Sequence, residues 1–334
     1  MLNFADFPIV SVENQGWPWT QPSDIPSFLF DEGVPWPKIS IVTPNYNYGY
    51  FLEEAIRSVF LQGYPNLEYI VMDGGSTDNS LDIIKKYEPW ITYWESKKDR
   101  GQTHALNKGF EKASGDIIAW INSDDLYLPG AFYAVARQYL ENPHKIILGD
   151  VEDFYEDKSR PPKRMRLHHV TSRSMLKPLD EGWLWHQPGT FVPMHIQNKI
   201  GALDESLHYA FDKDWMFRLL KIADADYLNT VVARFRIHSE AKTSAGMDIC
   251  IQEIYQVNQR YMSSVDYKSA HHLLALYHLR LIGLYLCEHK EYEPFFNRRY
   301  AAMEMLRAPS IIFSTKGLRF LLRLVLPKAL WRSS

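Results

Sequence analysis

Ile117-Ile118-Ala119-Trp120-Ile121-Asn122-Ser123-Asp124-Asp125-Leu126-Tyr127 is the stretch around which the chain is organised. Its first half is short, continuous and apolar, rich in β-branched and aromatic residues, as a strand buried in a mostly parallel sheet requires. Pro129-Gly130 follows, and proline suits the first turn of a new helix. Asp124 and Asp125 are therefore expected at the carboxyl end of a strand that hands over to a helix. Open α/β sheets hold their ligands in that crevice. Adjacent carboxylates repel each other unless a cation neutralises them. Hard oxygen ligands favour Mg²⁺ or Mn²⁺, ions that also bridge to phosphate oxygens. An Asp-Asp pair serves equally well as a solvated turn, so the neighbouring loops decide.

Towards the N-terminus the pattern alternates. Ile39–Thr43 reads as a strand halted by Pro44-Asn45-Tyr46-Asn47, and a helix follows with Leu52, Ala55, Ile56, Val59 and Phe60 at helical spacing. Glu68–Met72 is a second strand, ending at Asp73-Gly74-Gly75-Ser76-Thr77-Asp78, with Thr77 or Asp78 as N-cap of a helix over 79–88. A short strand over 91–94 leads to Glu95, the loop Lys98-Asp99-Arg100-Gly101 and a helix over 102–113. This βαβαβαβ order implies right-handed crossovers and one parallel sheet. The loops carrying Asn45, Asp73, Glu95, Arg100 and Asp124 then gather at one edge.

Towards the C-terminus, a helix over 130–141 and a strand at 145–150 precede a charged, irregular excursion over 152–182 that carries Arg160-Pro161-Pro162-Lys163-Arg164. Trp185-His186-Gln187-Pro188-Gly189 leads into a strand at 190–193. Asp212-Lys213-Asp214 opens a helix with two acids in its first turn, as the helix dipole favours. A strand over 227–237 ends in His238, and everything beyond about 249 reads as helix. The division expected is an irregular N-terminal arm (1–37), an α/β domain (38–245) and a helical extension (246–334). The apolar segment 317–332, with Arg319, Arg323, Lys328 and Arg332, suits a packed terminal helix or one lying on a membrane surface.

Composition bounds the function. A net charge of −3 argues against nucleic acid held by bulk charge. Ten Trp and twenty Tyr suit stacking on bases or sugar rings. Cys250 and Cys287 are far apart and form no metal-spaced set, which points to a reducing compartment. No secretory signal is legible, and no window approaches about 18 uninterrupted apolar residues, so the expectation is a cytoplasmic protein, at most peripheral at the inner membrane face. Neither G-x-G-x-x-G nor G-x-x-x-x-G-K-[ST] follows the first strand, so no glycine cradle for phosphates is legible there.

Four loops carry a resemblance. Thr43-Pro44-Asn45-Tyr46-Asn47, Asp73–Asp78, Asp99-Arg100-Gly101-Gln102 with Asn107-Lys108-Gly109, and Asn122-Ser123-Asp124-Asp125 resemble, in type, order and spacing, the loops of family-2 glycosyltransferases of the GT-A fold. The resemblance covers about residues 38–240. It implies a Rossmann-like α/β fold with a mostly parallel central sheet, and transfer of a sugar from a nucleotide-diphosphate donor, UDP-linked by expectation, to a hydroxyl of a glycan or lipid-linked acceptor in surface polysaccharide synthesis.

By position, the resemblance assigns Pro44, Asn45, Asn47, Asp73, Gly75, Arg100, Gln102, Asn107 and Ser123 to the nucleotide. Asp124 and His238 go to a Mn²⁺ or Mg²⁺ ion, with Asn122 and Asp125 as further candidates. Asn122 departs from the aspartate usual at that position. Asp212 matches the general base of inverting enzymes, with Asp214 as the alternative. Phe211 stands where an acid is common. Trp185, His186, Gln187 and Thr190 resemble the acceptor side. Two other readings stay open: a sugar nucleotidyltransferase, disfavoured by the missing basic Gly-rich loop, and a non-catalytic sugar-nucleotide or glycan-binding protein.

Overall fold

The computed structural model describes residues 7–8, 14–20, 35–167, 170–176, 185–242 and 246–262. The chain forms two compact units, Met1–Val170 with Leu184–Ala245, and Thr171–Trp183 with Gly246–Ser334. In the first unit β1 (Ile39–Asn45), α1 (Gly49–Phe60), β2 (Leu67–Asp73), α2 (Ser80–Tyr87), β3 (Tyr93–Ser96), α3 (Gln102–Lys112) and β4 (Ile117–Trp120) alternate as the periodicity predicts. There follow β5 (Leu126–Tyr127), α4 (Ala131–Glu141), β6 (Ile146–Tyr155), β7 (Lys163–Met165), β8 (Thr190–Pro193), α6 (Met194–Ile200), α7 (Phe211–Leu220) and β9 (Ala225–Ile237). The second unit holds α5 (Ser172–Met175) and α8 (Met247–Tyr261).

The sheet runs β3-β2-β1-β4-β8-β6-β9-β5, with β7 paired onto β6. The expected parallel arrangement holds for β3, β2, β1 and β4, which stand in register from Ile39 against Leu67 and against Ile117. It does not hold throughout. β8 is antiparallel to both β4 and β6, and β5 is antiparallel to β9, whereas β6 and β9 are parallel. Parallel neighbours need a crossover connection. β8 directly follows a single turn of 3₁₀ helix at Gln187–Gly189.

One face of the parallel half is sealed by Ile56, Val59 and Phe60 of α1 and Ile83, Ile84 and Tyr87 of α2, clustered with Ile39, Ile41, Tyr69 and Val71. α3 closes the other face at very short range. A Cβ on Gly109 would stand 2.4 Å from Val42 Cγ1 and 3.2 Å from Met72 Cγ. Described pieces of the N-terminal arm are tied down by Arg57, a buried cation on α1 whose guanidinium donates to the carbonyls of Pro18 and Trp19 and to Tyr87 Oη. Trp17 Nε1 donates to the carbonyl of Tyr127 on the outermost strand, β5.

Three local expectations are corrected. Asn79, not Thr77 or Asp78, precedes α2, and it makes no side-chain cap. Asp78 instead accepts from Ser80 N and, across the loop, from Gly49 N at the start of α1. Gly130, in the left-handed region, is the N-cap of α4, so Pro129 lies just outside the helix. The excursion from 152 is regular in its first part: β6 continues to Tyr155 and β7 folds back on it. In α8, Cys250, Ile254, Val257 and Tyr261 are buried at helical spacing. Cys287 and the segment 317–332 lie outside the described residues.

Gly109→Ala should lower stability by about 1–3 kcal/mol, because a methyl is forced into Val42. Urea unfolding reads this as a lower midpoint, and an unchanged midpoint would refute the close packing of α3.

Candidate active site

The ends of β1 and β2 are knitted together before any ligand is considered. Asp73 is buried, and its carboxylate accepts from Asn45 Nδ2 (2.7 Å), Ser76 Oγ, Gly75 N (3.1 Å), Ser76 N (3.0 Å) and Ser96 Oγ (2.6 Å). Burial opposes its charge, yet the donors from Ser76, Ser96 and Asn45 hold the carboxyl below its usual range. Asn47 has a left-handed backbone (φ 55°); its N–H donates to Ser76 Oγ and its Oδ1 accepts from Thr77 N. Gly75, at φ 82°, is required by its turn. The nucleotide role expected of Asp73 thus meets a carboxylate already committed to its own loop. In this corner Asn45 Oδ1 is a buried acceptor without a hydrogen-bond partner. Such an atom costs on the order of 1–3 kcal/mol until a donor reaches it.

At the end of β4 the two aspartates separate. Asp125 is buried and accepts from Arg236 N (3.0 Å) and Asn122 Nδ2 (3.2 Å). Burial and the charge of Asp124 push its carboxyl well above the usual range. Asp124 faces the other way, with Oδ2 3.1 Å from His238 Nε2. The imidazole lies against the rings of Phe51 and Tyr48. Cis ligands of a hexacoordinate ion with bonds of about 2.1 Å lie about 3 Å apart, so a carboxylate oxygen and an imidazole nitrogen at this separation suit a shared divalent ion. Among the described residues no third His, Cys, Asp or Glu joins them. Asn122 Oδ1 accepts from Gln102 Nε2 (2.8 Å), and Ser123 Oγ donates to the carbonyl of Pro44 (2.7 Å), so the structure turns both side chains to protein partners.

Two carboxylates on α7 have opposite environments. Asp214 is buried, pairs with Arg218 Nε at 2.9 Å one turn on, and Arg218 in turn donates to the carbonyls of Ile200 and Ala202. That engagement commits Asp214 to fixing the helix against the loop before it. Asp212 is only partly covered, and its Oδ1 accepts from Lys213 N. Burial pushes its carboxyl up to about 6, against the pull of Lys213 and Lys242. A general base with that affinity for protons is well matched to neutral pH.

Other expected positions hold the frame. Asn107 donates to the carbonyl of Leu203 (3.0 Å) and accepts from Leu203 N (2.8 Å), so it fastens the loop before α7. Arg100 is bound to Glu205 at 2.6 Å. On the acceptor side, Trp185 is 2% exposed, and its Nε1 donates to the wholly buried Thr190 at 2.7 Å. It offers no stacking face, and Thr190 no free hydroxyl. Gln187 Nε2 donates to the carbonyl of Trp120 at the end of β4. His186 stands 3.6 Å from Asp153, and burial lowers its imidazole to about 4.

The comparisons with known proteins bear on this geometry. The family described as Glycosyl transferase family 2 matches residues 40–197. An uncharacterized glycosyltransferase of Rickettsia typhi is 30% identical over 218 residues, which cover 64% of this chain and 68% of that protein. The chain belongs to glycosyl transferase family 2. It is a glycosyltransferase with the GT-A fold. An uncharacterized glycosyltransferase of Mycobacterium tuberculosis is 28% identical over 204 residues, 60% of this chain and 75% of that protein. A Rickettsia felis relative is 29% identical over 212 residues, 61% of this chain, which span 35% of its length. Among solved structures, S. aureus TarS in complex with UDP-GlcNAc superposes with a TM-score of 0.64 at 17% identity, covering 88% of this chain and 91% of that one. The mannosyltransferase PcManGT of Pyrobaculum calidifontis, in complex with GDP-Man and Mn²⁺, superposes at 0.54 with 17% identity, covering 94% and 92%. These two likenesses show the fold.

Two residues of this family-2 enzyme escaped the sequence reading. Arg236 lies two positions before His238 on β9, on the same face as strand alternation requires. Its guanidinium lies over the rings of Phe51 and Phe154, donates to the carbonyl of Asp124 (2.8 Å) and pairs with Glu54 and Glu156. The alternation Arg234-Phe235-Arg236-Ile237-His238 was the available signal. Lys242 lies beyond the strand, where no period marks it. Its Nζ donates to Gln102 Oε1 (3.0 Å) and to the carbonyl of His208, which joins the Asp212 side to Asn122 through Gln102.

Because the carboxyl of Asp212 is raised from 3.8 to about 6, folding favours its protonated form. The associated stability is complete below about pH 3.8, is lost between about 4 and 6, and stays lost above. Asp212→Asn should therefore gain up to about 3 kcal/mol at pH 8, less whatever solvent screening removes, and nothing at pH 4. Thermal midpoints at both pH values check this; a variant less stable than wild type at pH 8 would contradict it.

Proposed function

We propose that this glycosyltransferase is an inverting, divalent-metal-dependent enzyme that moves a sugar from a UDP-linked donor to a hydroxyl of a glycan or lipid-linked acceptor. Polysaccharide synthesis at the cytoplasmic face of a membrane is the process we assign to it. Among the described residues, no helix is long and apolar enough to cross a membrane. The observation that carries the proposal is the 3.1 Å approach of Asp124 to His238 on the unit that also holds the raised carboxyl of Asp212. The complexes of its structural neighbours with UDP-GlcNAc, and with GDP-Man and Mn²⁺, support a nucleotide-sugar donor and a metal.

In this reading Asn45 Oδ1 accepts a donor N–H from the nucleobase, which answers the buried orphan. Asp124 and His238 would hold the ion, with Asp125 and Arg236 fixing the loop behind them. When bound, a divalent ion supplies charge stabilisation of the leaving diphosphate, worth several kcal/mol in such sites. Asp212 takes the proton of the acceptor hydroxyl as its oxygen bonds to the anomeric carbon, on the face opposite the diphosphate. The carbon–oxygen bond to the diphosphate breaks in the same displacement, and configuration inverts.

Asp212→Asn should lower kcat by about 10²–10⁴-fold while leaving donor affinity in place. Wild-type kcat/KM should rise through about pH 6 and level off above it, as the carboxylate forms. Turnover of a panel of UDP- and GDP-sugars with Mn²⁺, measured from pH 5 to 8, tests both. Full activity of the variant, or a profile falling above pH 6, would refute Asp212 as base.

A further inference from the structure

The hairpin between β6 and β7 leaves the sheet at the catalytic edge. β6 and β9 run parallel, with register shifts on either side of Asp150, up to Tyr155 against Ile237, and Glu156 N donates to the carbonyl of Ile237 at 3.1 Å. His238 is the next residue. The chain then turns and returns as β7 against Val151–Asp153. The turn is well specified: Lys158 N donates to the carbonyl of Tyr155 (3.0 Å), Lys158 has φ 53°, and Asp157 accepts from Ser159 N (2.9 Å). Pro161-Pro162 stiffens the return.

Its charge is one-sided. Residues 157–164 and 166 are exposed and include Lys158, Arg160, Lys163, Arg164 and Arg166. Arg164 is spent on Asp150 and on the carbonyl of Asn229, and the nearby acid Glu156 is taken by Arg236. Lys158, Arg160, Lys163 and Arg166 are exposed; Lys163 stands opposite Asp153 of β6, and Asp157 lies beside Arg160 in the turn. This excess stands on a chain whose net charge is −3. Arg160 is held in place over the ring of Tyr155.

We propose that this hairpin is an anion-binding arm that engages phosphate groups carried along the acceptor. The proposal rests on the glycosyltransferase reading of the neighbouring site and adds the acceptor's chemical class. Its place in the sheet favours the acceptor over the donor: the loops with the orphan Asn45 Oδ1 end β1 and β2, whereas β6 lies on the far side of β4 and β8. A membrane surface is disfavoured because interfacial segments join cations to inserted apolar side chains. None of the exposed large hydrophobic residues falls in the hairpin. A row of cations on a stiff turn suits repeated phosphates, since little chain entropy is lost on binding.

The probe is linear inorganic polyphosphate, titrated by calorimetry between 50 and 200 mM salt in EDTA. The variants are Asp124→Ala and the triple variant Lys158→Ser, Arg160→Ser and Arg166→Ser, each checked for folding by circular dichroism. The triple variant should bind at least about tenfold more weakly and lose about 2 from the slope of log K against log salt. Asp124→Ala should bind like wild type. Equal binding by the triple variant and wild type would overturn the arm. So would hairpin-dependent binding to phosphatidylglycerol–phosphatidylcholine vesicles with polyphosphate binding unchanged. Wild type that turns over no sugar nucleotide would instead overturn the acceptor assignment through the reading beneath it, a result separable from either of these.

Discussion

Asp124 and Asp125 sit side by side where β4 ends, and the structure gives each a different answer. Two adjacent carboxylates in one loop repel, and burial sharpens the repulsion. Asp125 turns inward and is met by the backbone of Arg236 and the amide of Asn122, with its carboxyl pushed up by burial. Asp124 turns outward to His238. Much of the surrounding frame serves this separation. Arg236, whose backbone N–H reaches Asp125, is buried, and Phe51, Phe154, Glu54 and Glu156 surround its charge. The pairing of β5 with β9 sets Leu126 opposite Arg234 and so brings the end of β9 alongside the loop.

The same division of labour recurs on α7. Asp214 is neutralised by Arg218 and locks the helix to the loop before it, while Asp212, two residues away, keeps a desolvated carboxylate without an ion-pair partner of that quality. A buried ion pair fixes geometry more than it adds stability. A raised carboxyl costs stability at neutral pH and supplies a base there. Neighbouring acids of identical type thus differ through their surroundings alone, one fixed in an ion pair and the other, in our proposal, the base.

Much of this was legible in the sequence because it rests on local rules. The strand–helix alternation from Ile39 to Trp120, the halting loops and the pairing of Asp214 with Arg218 follow from periodicity and helical spacing. The placement of Asp124 at a strand end was legible for the same reason. What escaped depends on long-range contacts. The resemblance places Trp185 on the acceptor side, and its burial against Thr190 is not visible in the sequence. Asn107 looked like a donor contact, yet Leu203, 96 residues away, claims both ends of its amide. The antiparallel insertion of β8 and the hairpin of β7 were hidden by a charged, Pro-rich segment with no readable period.

The central claim is that Asp124 and His238 hold a divalent ion together. Pulsed electron paramagnetic resonance of Mn²⁺, added with UDP to wild type and to His238→Ala, reads this most directly. The account predicts nitrogen modulation from a coordinated imidazole in wild type that disappears in the variant. Mn²⁺ bound without nitrogen coupling in wild type, or coupling that persists in His238→Ala, would contradict it.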